Sequence, residues 1–331
     1  MLNFSFKNLR GFVIDLVVKI DKNVDVSILN DEIVTLTKCN HIAEIQYLSK
    51  NNKNATIKKL NKFEYVELAT GEIKKFSISE TRADNVNSLK QTFKKLRYLI
   101  NNNFVGALNE FFITLTFAPD ASKWRPSVSD TEYLAKCMKV FIQRLKRKYG
   151  RIEFVRVLEP HADGHAHFHM LLRFDDFDKI YIANKELNEL WGHGFVKINS
   201  LKDVDNIGAY VSAYFTDIEL DDKTFSDECL SDSKSRKIDV VEKGNKKFIK
   251  GGRLKYYPTG VQIFNKSKGL KYPDREQMTY LEAKEKAGVL LFGRPTYSKS
   301  YAVSIDDFDL LVKYEYYNSK RQGHNSMNSE K

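Results

Sequence analysis

The chain has 331 residues, 42% hydrophobic and 29% charged, with a formal net charge of +11. That length suits two or three modules and the mixture excludes a disordered or fibrous chain, while the positive excess suits a polyanionic partner, nucleic acid first and an anionic membrane surface second. No apolar run approaches the roughly 20 residues that cross a bilayer, the start lacks a signal-peptide pattern, and Cys39, Cys137 and Cys229 form neither a disulfide framework nor a CxxC pair, so a reducing cytoplasm is the expected location.

Residues 1–84 read as a β-rich module. "GFVIDLVVKI" and "EYVELATGEIKKFSI" are β-branched runs, the second broken by a Thr-Gly-Glu turn, and "KNNKNATIKKLNK" between them reads as loop. From Asn85 the period changes. Leu89, Phe93, Leu96 and Ile100 recur at helical spacing, with Lys90, Lys94, Lys95 and Arg97 on the other faces. "EFFITLTF" reads as a buried strand: Phe111, Ile113, Leu115 and Phe117 point one way, Thr114 and Thr116 the other. "SDTEYLAKCMKVFIQRLKRKYG" is a helix with Ser129 as candidate N-cap, Gly150 as its stop and a basic end containing Arg144, Lys146 and Arg147. "RIEFVRVLE" and "HAHFHMLLRF" are strands joined by the turn "PHADG", "NKELNELW" is a helix, "GFVKINSL" a short strand and "NIGAYVSAYFTDIEL" a helix. Residues 85–220 are the expected central domain. Residues 221–317 form a basic C-terminal extension, with nine Lys or Arg against two acids between Lys234 and Lys255, among them Lys246, Lys247, Lys250 and Arg253; residues 318–331 are a polar tail.

Two patterns carry chemistry. In "GHAHFHMLL", His165, His167 and His169 share one strand face while Ala166, Phe168, Met170 and Leu172 face a core. Two imidazoles at i and i+2 stand roughly 6–7 Å apart at Cβ, close enough for both to reach one metal. Glu159 ends the preceding strand and the turn folds it back beside them, completing a His₂–carboxylate set suited to Mg²⁺, Mn²⁺ or Zn²⁺. In "AYVSAYFTD", Tyr210 and Tyr214 are one turn apart. At about 100° per residue, Tyr214 falls roughly 55° and Tyr210 roughly 95° from the apolar stripe of Ile207, Val211, Phe215 and Ile218, which leaves Tyr210 at the margin where it can reach a cleft.

A His-x-His strand followed by a tyrosine helix resembles the rolling-circle replication initiators of the HUH endonuclease superfamily, of the Gram-positive plasmid and phage type. "HFHMLL" matches the histidine motif, "FFITLTF" the first motif, and "WGHGFVKI" with "AYVSAYFTD" the approach to the tyrosine motif; the likeness covers about residues 85–217. Histidines before tyrosine is the initiator order, the reverse of conjugative relaxases. The resemblance implies an α+β fold whose central antiparallel sheet (a ferredoxin-like, RRM-like palm) carries the histidines on a middle strand beside the tyrosine helix. It implies His167, His169 and Glu159 as ligands of Mg²⁺ or Mn²⁺, Tyr210 and Tyr214 as nucleophiles, and His165, Thr114 and Thr116 as neighbours of the site. The substrate is then a single-stranded or hairpin origin DNA, nicked to give a 5′-phosphotyrosyl bond and a free 3′-OH, with the basic stretches holding the backbone. No GxxxxGK[ST] motif appears, so unwinding and synthesis fall to a host helicase and polymerase. One departure stands out: Ala213 occupies the position of the motif's usual lysine, and Asp217 that of a second. The alternatives are a transposase with the same chemistry, a non-catalytic nucleic-acid-binding protein, and a zinc hydrolase using His161 or His165.

Overall fold

β-branched residues crowd the start of the chain, and it folds there as strands β1 (Leu2–Lys7), β2 (Val13–Asp21), β3 (Ile33–Cys39) and β4 (Ile42–Leu48). The computed structural model describes residues 2–7, 13–21, 24–50, 57–61, 63–76, 86–160, 164–216, 218–220, 240–243, 246–249, 257, 261–290, 294–305 and 308–321. Asn40, at φ 50°, makes the tight turn between β3 and β4, a conformation that asparagine tolerates better than most residues. Next come β5 (Ile57–Lys59), β6 (Glu64–Glu67) and β7 (Ile73–Lys75), a three-stranded meander. Ile57–Lys59, expected as loop, pairs with Tyr65–Glu67. Three residues are too few for alternation to show.

The middle of the chain supplies α1 (Val86–Asn103), β8 (Glu110–Thr116), α2 (Thr131–Tyr149), β9 (Ile152–Pro160), β10 (Ala166–Phe174), α3 (Asn184–Trp191), β11 (Val196–Ser200) and α4 (Ile207–Thr216). The helix read through residue 220 ends at Thr216, and Ile218–Leu220 is strand β12, paired with β14 (Lys246–Ile249), which also pairs with β13 (Val240–Lys243). β15 (Phe264–Lys266) and β16 (Arg275–Thr279) lead to α5 (Tyr280–Ala287), and β17 (Tyr297–Ile305) and β18 (Phe308–Asn318) close the described fold.

Contacts divide the chain into two units, residues 1–78 with 273–331, and residues 79–272. In the first, a seven-stranded sheet runs β1-β2-β17-β18-β4-β3-β16, so strands from both ends of the chain alternate within it. A division by chain order, with an N-terminal module ending at 84 and a separate extension from 221 to 317, does not contain that pairing. Its core joins Val34, Leu36 and Ile45 to Tyr280, Ala283 and Tyr317.

In the second unit, the order β11-β8-β10-β9-β15 is antiparallel throughout. Chain order β8-α2-β9-β10-α3-β11 on that strand order is the split β-α-β arrangement of the ferredoxin-like fold, and the expected α+β class with a central antiparallel sheet is what the chain adopts. One face packs on α2 and α3 through Ile113, Leu115, Phe168, Met170, Leu172, Phe141 and Trp191. The other packs on α1 and α4 through Phe112, Val155, Leu171, Leu96, Leu99, Ile207 and Val211. β8 and β10 are therefore buried on both faces, which is why their apolar content exceeds simple alternation. Asp130, not Ser129, precedes α2; its carboxylate accepts from the Ser127 backbone N–H at 2.7 Å and does not cap the helix. Gly150 does end α2, as expected.

Candidate functional site

β10 is the middle strand, so its two neighbours fix what stands beside each histidine. His167 lies opposite Thr116 on β8 and Glu159 on β9; His169 lies opposite Thr114 and Val157. Alternation then sets rows across one face: Thr116–His167–Glu159, next Lys197–Thr114–His169–Val157–Phe264, next Asn199–Phe112–Leu171–Val155–Lys266. Polar groups fill the first row and, on β11, β8 and β10, the second, whose Val157 and Phe264 already join the core. In the third, Phe112, Leu171 and Val155 belong to the core beneath α1 and α4.

His169 is 6% exposed and Glu159 4%. Groups so buried are costly without partners, and each has one: Glu159 Oε2 closes directly on His169 Nε2. Thr114 Oγ1 lies 3.1 Å from the other ring nitrogen, Nδ1. The imidazole also stacks on Phe112, with centroids 5.5 Å apart and planes 9° apart. The same Phe112 meets the ring of Tyr210 edge-on at 6.1 Å and 75°. Phe112 thus touches both chemically distinctive side chains, and sequence reading missed it because its neighbours Phe111 and Ile113 already account for a core face.

Tyr210 owes its place to the start of α4. Asn206 accepts from the Ala209 N–H at 3.0 Å, and Asn101 of α1 accepts from the Gly208 N–H at 2.8 Å. Both are donors that a helix start leaves open. An added Cβ at Gly208 would lie 2.6 Å from Asn101 Oδ1 and 2.8 Å from the Arg97 carbonyl oxygen, so glycine here lets α4 approach α1 closely. Tyr210 is half-buried at this crossing. Tyr214 falls on α4, but its side chain lies outside the described residues.

The remaining expectations divide by layer. His165 forms an isolated bridge with Ser127 at the rim of the sheet. Thr116 is held at its carbonyl by Trp191 Nε1 at 3.0 Å and at its N–H by the Phe195 carbonyl at 2.9 Å. Lys94, Lys95 and Arg97 ride on α1, on the histidine side of the sheet; Lys94 and Arg97 lie over the ring of Tyr98. Arg144, Lys146 and Arg147 ride on α2, on the opposite side, and Arg144 donates to the Leu190 carbonyl at the end of α3. Lys250, Arg253 and the side chains of Lys246 and Lys247 lie outside the described residues. Lys197 was missed: alternation in "GFVKINS" puts it opposite Val196 and Ile198, and the register brings it beside Thr114, exposed. Tyr257 is core, its hydroxyl donating to the Leu158 carbonyl at 3.0 Å.

Among the described residues, no three His, Cys, Asp or Glu side chains form a ready-made metal centre. His167, His169 and Glu159 are in register, but His169 and Glu159 close on each other. The donor chemistry nevertheless fits a divalent ion. A nitrogen and a carboxylate oxygen converge on one point, Thr114 ties down the far ring nitrogen, and His167 is the cross-strand neighbour of Glu159.

Residues 110–219, about one third of the chain, match a family model described as replication-associated protein. The matched stretch runs from β8 into β12 and holds every residue of the site rows except those on β15. The similarity supports a replication initiator of the Rep type. No curated protein matches the chain. Among the described residues, no helix is long and apolar enough to cross a membrane.

Proposed function

We propose that the second unit nicks one strand of a replication origin, presented single-stranded or as an extruded hairpin, by tyrosine attack. The observation that carries this is that one ring, Phe112, contacts both Tyr210 and the His169 of the Glu159–His169 pair, inside the segment similar to replication-associated proteins.

Lys197, Lys94, Lys95 and Arg97 supply positive charge on the histidine side of the sheet, where the DNA backbone would run. With Nδ1–H donating to Thr114 Oγ1, the Nε2 lone pair would be available to a cation held between it and the Glu159 carboxylate. His167, His169 and Glu159 would hold Mg²⁺ or Mn²⁺, whose chemistry there is Lewis-acid polarisation of a non-bridging phosphate oxygen. The Tyr210 hydroxyl loses its proton as its oxygen bonds to phosphorus, and the P–O3′ bond breaks. The products are a 5′-phosphotyrosyl linkage and a 3′-OH that a host polymerase extends after a host helicase has opened the duplex. The phosphodiester energy stays in the tyrosyl bond, so the 3′-OH of a displaced strand can reverse the step and rejoin the DNA. Tyr214, one turn along α4, is the candidate for the second attack. With Ala213 in place of the motif lysine, Lys197 is the nearest cation by strand register to Thr114 and His169.

The test is a cleavage assay on a single-stranded origin oligonucleotide with Mn²⁺. Tyr210→Phe should lose the covalent protein–DNA adduct while Tyr214→Phe keeps it. An adduct formed by the double variant sinks the assignment.

A further inference from the structure

The other face of β9 carries an arginine for which the tyrosine site has no use. Arg156 pairs in register with Met170 on β10 and Asn265 on β15, and alternation sets it with Leu158 rather than with Val157 and Glu159. Its guanidinium carbon lies 5.9 Å from the centroid of Phe168, and among the described residues no hydrogen bond or ion pair engages it. Burial pulls its pKa below the usual arginine value, yet a guanidinium stays charged. It opens onto a cavity of about 180 Å³ walled by Leu134, Leu158 and Phe168, with Thr131, Gln262 and Asn265 as further polar side chains. Neither of those side-chain amides has a hydrogen-bonding partner among the described residues. A pocket of largely apolar walls on which a few polar side chains converge is the usual form of a small ligand's site.

We propose that this cavity receives one unpaired guanine of the bound single strand, read by Arg156 through the base's O6 and N7. Arginine offers only donors in a planar fork, and guanine presents two adjacent acceptors on that edge. A phosphate fits less well. Arg156 is the sole cation among the described residues lining the cavity, and the apolar walls would strip the anion's hydration. Those walls suit the faces of a base. Arg156 is three residues from Glu159, roughly 10 Å along the strand, on the opposite face. A DNA strand held at the histidine rows therefore has to turn around the end of the sheet to place a base there. The inference rests on the single-stranded DNA reading of the site and adds its sequence preference.

The experiment selects single-stranded oligonucleotides from a random pool with the full chain carrying Tyr210→Phe, so that bound DNA stays intact. The selected sequence is then titrated by fluorescence anisotropy with guanine, 7-deazaguanine or adenine at each selected guanine in turn. At one position guanine should bind best, and loss of N7 alone should weaken binding, a readout that needs no change at Arg156. Arg156→Gln should weaken the guanine oligonucleotide about 5- to 150-fold, the discrimination of one bidentate pair, and level the three bases at that position only. Equal binding of guanine and 7-deazaguanine at every position, or an unchanged guanine preference in Arg156→Gln, overturns the proposal. Adduct formation by the unsubstituted chain is scored in parallel. An adduct with no Arg156-dependent base preference removes the guanine pocket and leaves the tyrosine chemistry standing. An Arg156-dependent preference without an adduct supports the pocket and removes the nicking. Absence of both overturns both.

Discussion

An imidazole that must present one nitrogen to a ligand needs the other tied down. His169 has Thr114 at Nδ1, Glu159 at Nε2 and Phe112 against its face. Replacing Thr114 with valine keeps the shape and removes the oxygen that orients the ring. Thr114→Val is expected to weaken Mn²⁺ binding about 10- to 100-fold, measured by calorimetry, and to cost about 1–3 kcal/mol of stability, because the buried His169 Nδ1 loses its partner. Unchanged Mn²⁺ affinity would remove Thr114 from the site. Single residues were unevenly legible. His167, His169 and Glu159 could be placed together because period-two alternation and one short turn suffice. Lys197 and Phe112 could not, since their closeness to His169 depends on which strands flank β10, and neither flank adjoins it in sequence except β9.

At the scale of elements, the crossing of α1 and α4 sets where Tyr210 stands. Gly208 lies against the Arg97 carbonyl and Asn101, and its N–H is held by Asn101. A methyl group there has to displace backbone as well as a side chain. Gly208→Ala is expected to destabilise the second unit by about 1–3 kcal/mol, the usual cost of overpacking a tight contact, read by urea denaturation. Adduct formation should fall as α4 shifts; full stability in Gly208→Ala would contradict the crossing. The first helix was readable from the 3.6-residue period: Leu96 and Ile100 are buried and Phe93 packs half-buried against the same core, while the side chain of Leu89 lies outside the described residues. The end of α4 was misread because "TDIEL" continues an apolar spacing, while Ile218–Leu220 finds a better partner in β14.

For the whole molecule, the first unit exists only if both ends of the chain are present. β18 lies between β17 and β4, and β16 covers the edge of β3. Truncation after Tyr272 is expected to abolish amide hydrogen-exchange protection in β3 and β4 while β8, β9 and β10 keep theirs. Protection of β3 and β4 in the truncated chain would overturn this pairing. The first unit also has an alkaline limit. The Tyr47 hydroxyl donates to Glu32 Oε1 at 2.5 Å, and this bond, with burial, pushes its pKa up to about 12. The folded value is raised above the unfolded value of about 10, so the contribution is whole below about pH 10 and fades as pH rises through 12. Tyr47→Phe should therefore be less stable than the unsubstituted chain near neutral pH, and the gap should close above about pH 12 in urea titrations. A gap that persists in strong alkali would mean that the hydroxyl bond is not its source.

The sequence by itself determined what depends on neighbours a few residues away. That includes the strand carrying His167 and His169, the helix carrying Tyr210, their order along the chain, and the α+β class. These follow from side-chain periods of 2 and 3.6, which are local properties of the backbone. Only the tertiary structure decided which strands lie side by side, and so which residues share a row. It put Thr114 at His169, Phe112 in contact with both His169 and Tyr210, and Arg156 in a cavity on the far face. It also joined β3 and β4 to strands from the other end of the chain. Strand pairing is settled by burying a common core and satisfying every backbone hydrogen bond at once, and no local pattern carries that information.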